Sequence, residues 1–407
     1  MAGGNDRETG GLAHVATASF LASRAVPSIG FWVALSGGVA LARSGQRRGP
    51  RVGYGAAIAA MLQTVAIIGP TRFSVPLTQA MSAPLLGVME ARGRGTAAQV
   101  LACSAIRFAH SIVVVAFGIV VLTGGVDAYT DSYDSIVGWL GFLPQGTTAV
   151  LILTAVAIVV WTAFASVVQV LVYRRGMAQW PPEASPSGDT GAAGSEPASS
   201  AGRFDPRAVA LASAVAFVLL LSGTSWVLLG SVALWLAIAW LAADGDRSVV
   251  PAGAAFAAMI GAGVLGFTAI GGLGLDQAAR RGLRAALLVL VATWLRAAAG
   301  SEGLREVSRR VLGRVSRVPS VGEAAGVMDQ LGSGRQLGRA GREAAAAMRG
   351  VRPRPRPVVD AALGWVEAEA RRFHPAPPVV PAVLHAAVAD YVLVLLAVAP
   401  LVIVLRA

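Results

Sequence analysis

Charge is scarce in this chain, and cysteine and histidine are scarcer still. Of 407 residues only 14% are charged, against about 25% in ordinary soluble domains, while 55% are hydrophobic. All the basic residues are Arg and none is Lys, giving a formal net charge of +12. The single cysteine, Cys103, excludes a disulfide within the chain and a cysteine-based metal site. The histidines His14, His110, His374 and His385 are scattered, with no HExxH pair, and no Ser-His-Asp arrangement can be nominated. There is no GxxxxGK[ST], so the chain is not expected to hydrolyse ATP through a P-loop. The glycine cluster Gly271–Gly274 lies in an apolar run and is not a phosphate loop. No nucleic-acid motif and no interleaving of basic with aromatic residues accompanies the positive charge. No small-residue cleavage signal follows Met1–Gly11, so no removable signal peptide is expected.

What is present is long charge-free sequence. Thr147–Tyr173 has the length of about one membrane span and Val209–Ala243 of about two. The apolar runs are continuous and not alternating, which argues for helices and against a β-barrel. The expected fold is therefore an all-α polytopic membrane protein. Residues 180–203, WPPEASPSGDTGAAGSEPASSAGR, are dominated by Pro, Gly, Ser and Ala and read as a flexible linker. The division follows as a membrane half over 1–178, a linker over 179–203 and a second membrane half over 204–407. The first half holds apolar segments at 12–24, 27–42, 53–70, 75–89, 97–123 and 146–173. The second holds 208–224, 226–243, 251–275, 283–299 and 383–405, for about eleven spans in all. Arg47, Arg48 and Arg51, then Arg92 and Arg94, then Arg174 and Arg175 follow alternate segments. The loop after the fifth segment carries Asp127, Asp131 and Asp134 and no basic residue. By the positive-inside rule this places the N-terminus in the cytoplasm of a plasma-membrane protein and the C-terminus outside. The acidic loop could hold a divalent ion, although a solvated loop is the plainer expectation.

Between Arg296 and Arg372 lie 15 Arg against 8 acidic residues. In Leu304–Val318 the apolar positions Leu304, Val307, Val311, Leu312, Val315 and Val318 form one helical stripe. Arg305, Arg309, Arg310, Arg314 and Arg317 populate the rest. Ser320 with Glu323 reads as a capping box opening a second helix that runs to Arg349-Gly350, bent at Gly332–Gly334. RPRPRP at 352–357 breaks it, and a third helix follows over Val358–Phe373. Residues 301–373 thus form a cytoplasmic amphipathic insert. It is either an interfacial set lying on anionic lipid or a docking surface for a soluble partner, and the two are compatible.

The second half, about 203–405, resembles the transmembrane T component of energy-coupling-factor (ECF) transporters of vitamins and metal ions. The resemblance starts at Asp205-Pro206-Arg207, similar to the DPR that opens those subunits. It continues through the Arg-bearing span 280–295, RRGLRAALLVLVATWL, to the insert. Ala347-Met348-Arg349-Gly350 is similar to the first Ala-Arg-Gly motif at the tips of the family's coupling helices. Ala370-Arg371-Arg372-Phe373 is similar to the second, with Arg372 where Gly is usual. The resemblance implies that Arg349 and Arg371 engage grooves on two separate ATPase subunits, which hold the ATP and Mg; this chain itself would carry no cofactor and no enzyme activity. Taken alone, Arg349 could simply be a cation opposing the dipole at a helix C-terminus, with Gly350 as the residue past its end.

The first half, with six segments, is similar to the S component, the substrate-binding subunit of the same importers. The resemblance implies contact with the T component through small residues of its first helix, here Ala18 and Ala22, spaced as AxxxA. Substrate contact would fall to polar residues within the membrane, Arg107, His110, Gln63 and Gln79, with Arg72 at the outer face. For Arg107 the plain alternative is snorkelling to the interface, and for His110 a hydrogen-bonded core role. A T component whose first half is only a scaffold stays open. So does a membrane enzyme acting on a phosphorylated lipid through the acidic loop and the Arg-rich face.

Overall fold

The computed structural model describes residues 3–70, 74–138, 141, 143–180, 203–244, 246–373 and 386–406. Arg72, His374, His385 and the linker residues 181–202 lie outside the described residues. The described residues contain no strand and fourteen α-helices. In chain order these are α1 (Gly3–Ala25), α2 (Gly30–Ile68), α3 (Ser74–Ala91), α4 (Thr96–Phe117), α5 (Val126–Val137), α6 (Thr147–Gln179), α7 (Pro206–Ser222) and α8 (Trp226–Ala242). There follow α9 (Val250–Ile270), α10 (Leu275–Arg314), α11 (Pro319–Gln330), α12 (Gly334–Arg349), α13 (Pro355–Arg372) and α14 (Val388–Arg406). A π-helical turn, Gly118–Thr123, continues α4.

Among the described residues five helices, α2, α4 with its π-turn, α6, α9 and α10, are long and apolar enough to cross a membrane; α7, α8 and part of α14 are apolar but shorter. Large apolar side chains stand exposed on them: Leu101, Val113 and Val120 along α4 and its π-turn, and Trp161, Phe164 and Leu171 on α6, are 57–71% exposed. Exposed apolar surface on this scale needs a non-aqueous neighbour, as a protein embedded in a membrane has. The expected segments 27–42 and 53–70 are two arms of α2. They meet at Gly49, whose φ of +81° favours glycine, followed by Pro50, whose ring presets φ for the new arm.

The described chain forms two compact units, Met1–Arg107 with Ala163–Ser200 and Arg305–Ala382, and Phe108–Thr162 with Ala201–Leu304 and Val383–Ala407. Their limits fall inside α4, α6 and α10, between 200 and 201 within the expected linker, and between 382 and 383. The first unit takes in the amphipathic insert because α11, α12 and α13 pack on α1 and α2.

In the first unit, α1 is the buried centre. Ala13, Val15, Ala16, Ala18, Phe20 and Ala22 have no exposed surface. Around it lie α2, α11, α12 and α13. Small residues set the spacing. A Cβ on Gly37 of α2 would stand 2.6 Å from the Ser19 Cβ, and one on Gly341 of α12 would stand 2.8 Å from the Leu21 Cβ and 3.3 Å from the Ala18 carbonyl. Basic residues of α2 and α6 pair with acids of the insert: Arg51 with Glu323 of α11 at 2.8 Å, and Arg175 with Asp360 of α13 at 2.8 Å. Arg47 and Arg48 pair with Glu8 at 2.9 and 3.0 Å, and Arg174 with Glu90 at 3.3 Å. The loops expected on one side of the membrane and the insert therefore share one end of this unit.

In the second unit, Asp205 caps α7: its carboxylate accepts from the Arg207 backbone, with Pro206 in the first turn. The Asp205 amide donates to Asp390 of α14 at 2.8 Å, and Arg296 of α10 faces Asp246 at 3.7 Å. At the opposite end, Trp226 donates to Asp276 at 2.7 Å, and Ser132 of α5 packs on Gly271. The acidic segment, expected as a loop, is the helix α5, opened by Asp127 in its first turn.

Candidate functional site

Two groupings of functional side chains emerge, both inside the first unit. The first is the exposed face of the insert. The expected capping box at Ser320 is not there: Val318 precedes α11 without a side-chain cap, and Ser320 lies inside the helix. Pro319 takes the first helical position instead, where its fixed φ and missing N–H cost nothing. The capping box forms at Ser333 and Gln336, opening α12. The single helix expected over 320–349 is thus two, α11 and α12, parted at Leu331–Ser333.

Arg305 was expected on the polar face of its helix; it is buried. Its guanidinium donates to the carbonyls of Leu331 at 2.9 Å and Gly332 at 3.2 Å, and also to that of Met328. Met328 lies in the last turn of α11, whose final carbonyls have no helical partner, and Leu331 and Gly332 follow directly after it. Burying one cation there opposes the negative end of the helix dipole and satisfies acceptors that no water reaches.

With α11 ended, α12 turns Leu337, Ala340, Ala344 and Met348 inward, and Arg335, Arg339, Arg342 and Arg349 outward. Ala18 and Ala22 lie fully buried under Gly341. Ala347, Arg349 and Gly350 are exposed at the tip. Gly350 has φ −86° and ψ −4°, and a Cβ there would meet nothing, so neither backbone nor packing demands glycine. At the end of α13, Ala370 is half-buried and Arg371 and Arg372 are exposed, Arg371 pairing with Glu367 one turn back. Burial raises the neighbouring Glu369 carboxyl above its ordinary value, Arg372 opposes the shift and Glu343 adds to it.

The second grouping is a buried polar cluster where α3, α4 and α6 meet. Tyr173 donates to Gln79 at 2.8 Å, and Gln169, one turn earlier on α6, donates to Ser82 at 2.8 Å. The Gln169 carbonyl accepts Arg107 Nε at 2.9 Å and Nη2 at 2.6 Å, and Cys103 Sγ at 3.3 Å. All six side chains are buried. Arg107 thus turns toward α6 and does not snorkel to an interface. The structure brings Arg107 and Gln79 into one cluster. His110, further along α4, is only half-buried and belongs to the other unit. Gln63 on α2 is fully buried with both amide atoms unpartnered. Gln169 and Tyr173 were not singled out from the sequence; the signal was an amide and a phenol one turn apart in the otherwise apolar run Thr147–Tyr173.

Asp127, Asp131 and Asp134 do not converge. Asp134 accepts from the Gly146 amide, and no group of three metal-ligating side chains exists among the described residues. Compared with protein-family models, curated proteins and solved structures, the chain matches none.

Proposed function

We propose that this chain is the membrane subunit of an ECF-type ATP-driven importer for a vitamin, a vitamin precursor or a metal ion, with S-like and T-like parts in one polypeptide. Two separate ATPase subunits bind and hydrolyse ATP, and the insert transmits their motion to the substrate-binding helices. The observation that carries this reading is the seating of α12 on α1. The helix bearing the proposed tip Arg349 rests through Gly341 directly on Ala18 and Ala22, so a pull on the tip would move the first helix. The other face of α12 displays four Arg to solvent, and a guanidinium fork at a helix tip suits a carboxylate in a partner's groove. Glycine at 350, with no role in the fold, leaves room for close approach by a partner backbone.

The test is co-purification of the full chain with candidate ATPases expressed from neighbouring genes, together with uptake by cells. Expected is a complex with two ATPase copies that Arg349→Glu dissociates, with uptake lost. Failure of any ATPase to associate, with Arg349→Glu leaving assembly and uptake unchanged, would sink the proposal.

A further inference from the structure

The cluster around Arg107 is rich in donors and poor in acceptors. An Arg brings five N–H donors and no acceptor. Here two of its nitrogens, with the Cys103 thiol, crowd onto one carbonyl oxygen of Gln169, which offers two lone pairs. Among the described residues, Arg107 Nη1 makes no hydrogen bond and no carboxylate lies within ion-pair distance of the guanidinium. Gln79 Nε2 is a buried donor without a partner among the described residues. The Ser166 hydroxyl, one turn before Gln169 on α6, is buried and unpartnered as well.

Depth sharpens the imbalance. Arg107 lies eleven residues into the 28-residue apolar stretch Thr96–Thr123, or about 16 Å along the helix. A buried cation without a counter-ion at that depth is costly, and such groups mark solute pathways. The guanidinium carries one positive charge. That matches a monoanionic carboxylate better than a dianionic phosphate, and it repels a metal cation.

We propose that the α3–α4–α6 cluster is a binding site for a carboxylate-bearing small molecule, with the free Nη edge of Arg107 pairing the carboxylate and Gln79 Nε2 donating alongside. The inference rests on the importer reading only in calling that molecule the substrate. It narrows the cargo to an organic acid and sets metal ions aside.

Equilibrium dialysis of the purified full chain in nanodiscs, without ATPases, tests it with radiolabelled acetate as the probe for the shared carboxylate. Saturable acetate binding is expected, displaced by formate and not by equal ionic strength of chloride or phosphate. Arg107→Gln should abolish it. Arg107→Lys, which keeps the charge and loses the fork, should weaken it about tenfold or more. Thermal unfolding of the wild-type chain should rise by at least about 2 °C in acetate over chloride. Absence of saturable acetate binding to the wild type, or equal displacement by phosphate, overturns the proposal whether or not the variants fold. The two readings fail separately: acetate binding without ATPase recruitment leaves the site and removes the importer, and the converse removes only the site.

Discussion

At the scale of single residues, one buried cation does the work of a helix cap. Arg305 holds three carbonyls at the end of α11, and no shorter side chain could reach all three. Replacing it with Met would leave buried acceptors unpaired, each worth about 1–3 kcal/mol. Arg305→Met is therefore expected to destabilise the first unit by roughly 3 kcal/mol in denaturant unfolding, and Arg305→Lys to recover only part, because an ammonium lacks the planar fork. An unchanged unfolding midpoint for Arg305→Met would refute this role. Glu369 works in the opposite sense. Its carboxyl titrates higher in the folded state than its ordinary 4.5, chiefly through burial. The folded state then holds its proton longer, so stability falls as pH rises above the unfolded value and that loss persists at neutral pH. Glu369→Gln should raise the unfolding temperature at pH 7, and the gain should vanish once the pH drops below about 4. A gain that is constant across this range would show that Glu369 acts through packing alone.

At the scale of elements, close approach between helices governs the first unit. Gly341 faces α1, and a Cβ there would press on Leu21 and on the Ala18 carbonyl. Gly338, three residues away, points outward, where a Cβ would meet only the tip of Arg342 at 3.6 Å. Gly341→Val should cost about 1–3 kcal/mol by overpacking, while Gly338→Ala should add up to about 1 kcal/mol through helix propensity. Equal effects of the two in thermal unfolding would mean that α12 does not seat on α1 at this point. The contrast shows what the sequence carried. Helical class, the acidic and basic segments and the amphipathic insert were legible, because they rest on periodicity and local charge. The partners of the insert were not. AxxxA at Ala18 and Ala22 marks a face fit for close contact, yet nothing local names α12 as the helix that fills it. The same holds for the cluster at Arg107, whose acceptor on α6 lies 62 residues away. Ser320 misled for a local reason, since Pro319 starts the helix one residue before a serine cap could act.

At the scale of the whole molecule, each unit sorts its charged ends. In the first, Arg51 and Arg175 pair with Glu323 and Asp360, which fixes the short loops and the insert to one end. In the second, Asp205, Asp246, Arg296 and Asp390 gather at one end, and Trp226, Asp276 and α5 at the other. The excess of Arg in the loops and insert predicts that these ends face the cytoplasm, with α5 outside. Because Cys103 is the sole cysteine, Cys103→Ala provides a background in which Ala347→Cys, Ser248→Cys and Asp131→Cys can each be labelled alone. All three positions are exposed. In intact cells a membrane-impermeant maleimide should label only the Asp131→Cys protein, and after permeabilisation all three. Labelling of Ala347→Cys in intact cells would place the insert outside and remove the surface that a cytoplasmic ATPase needs. Labelling of Ser248→Cys alone would instead reverse the second unit and leave the insert in place.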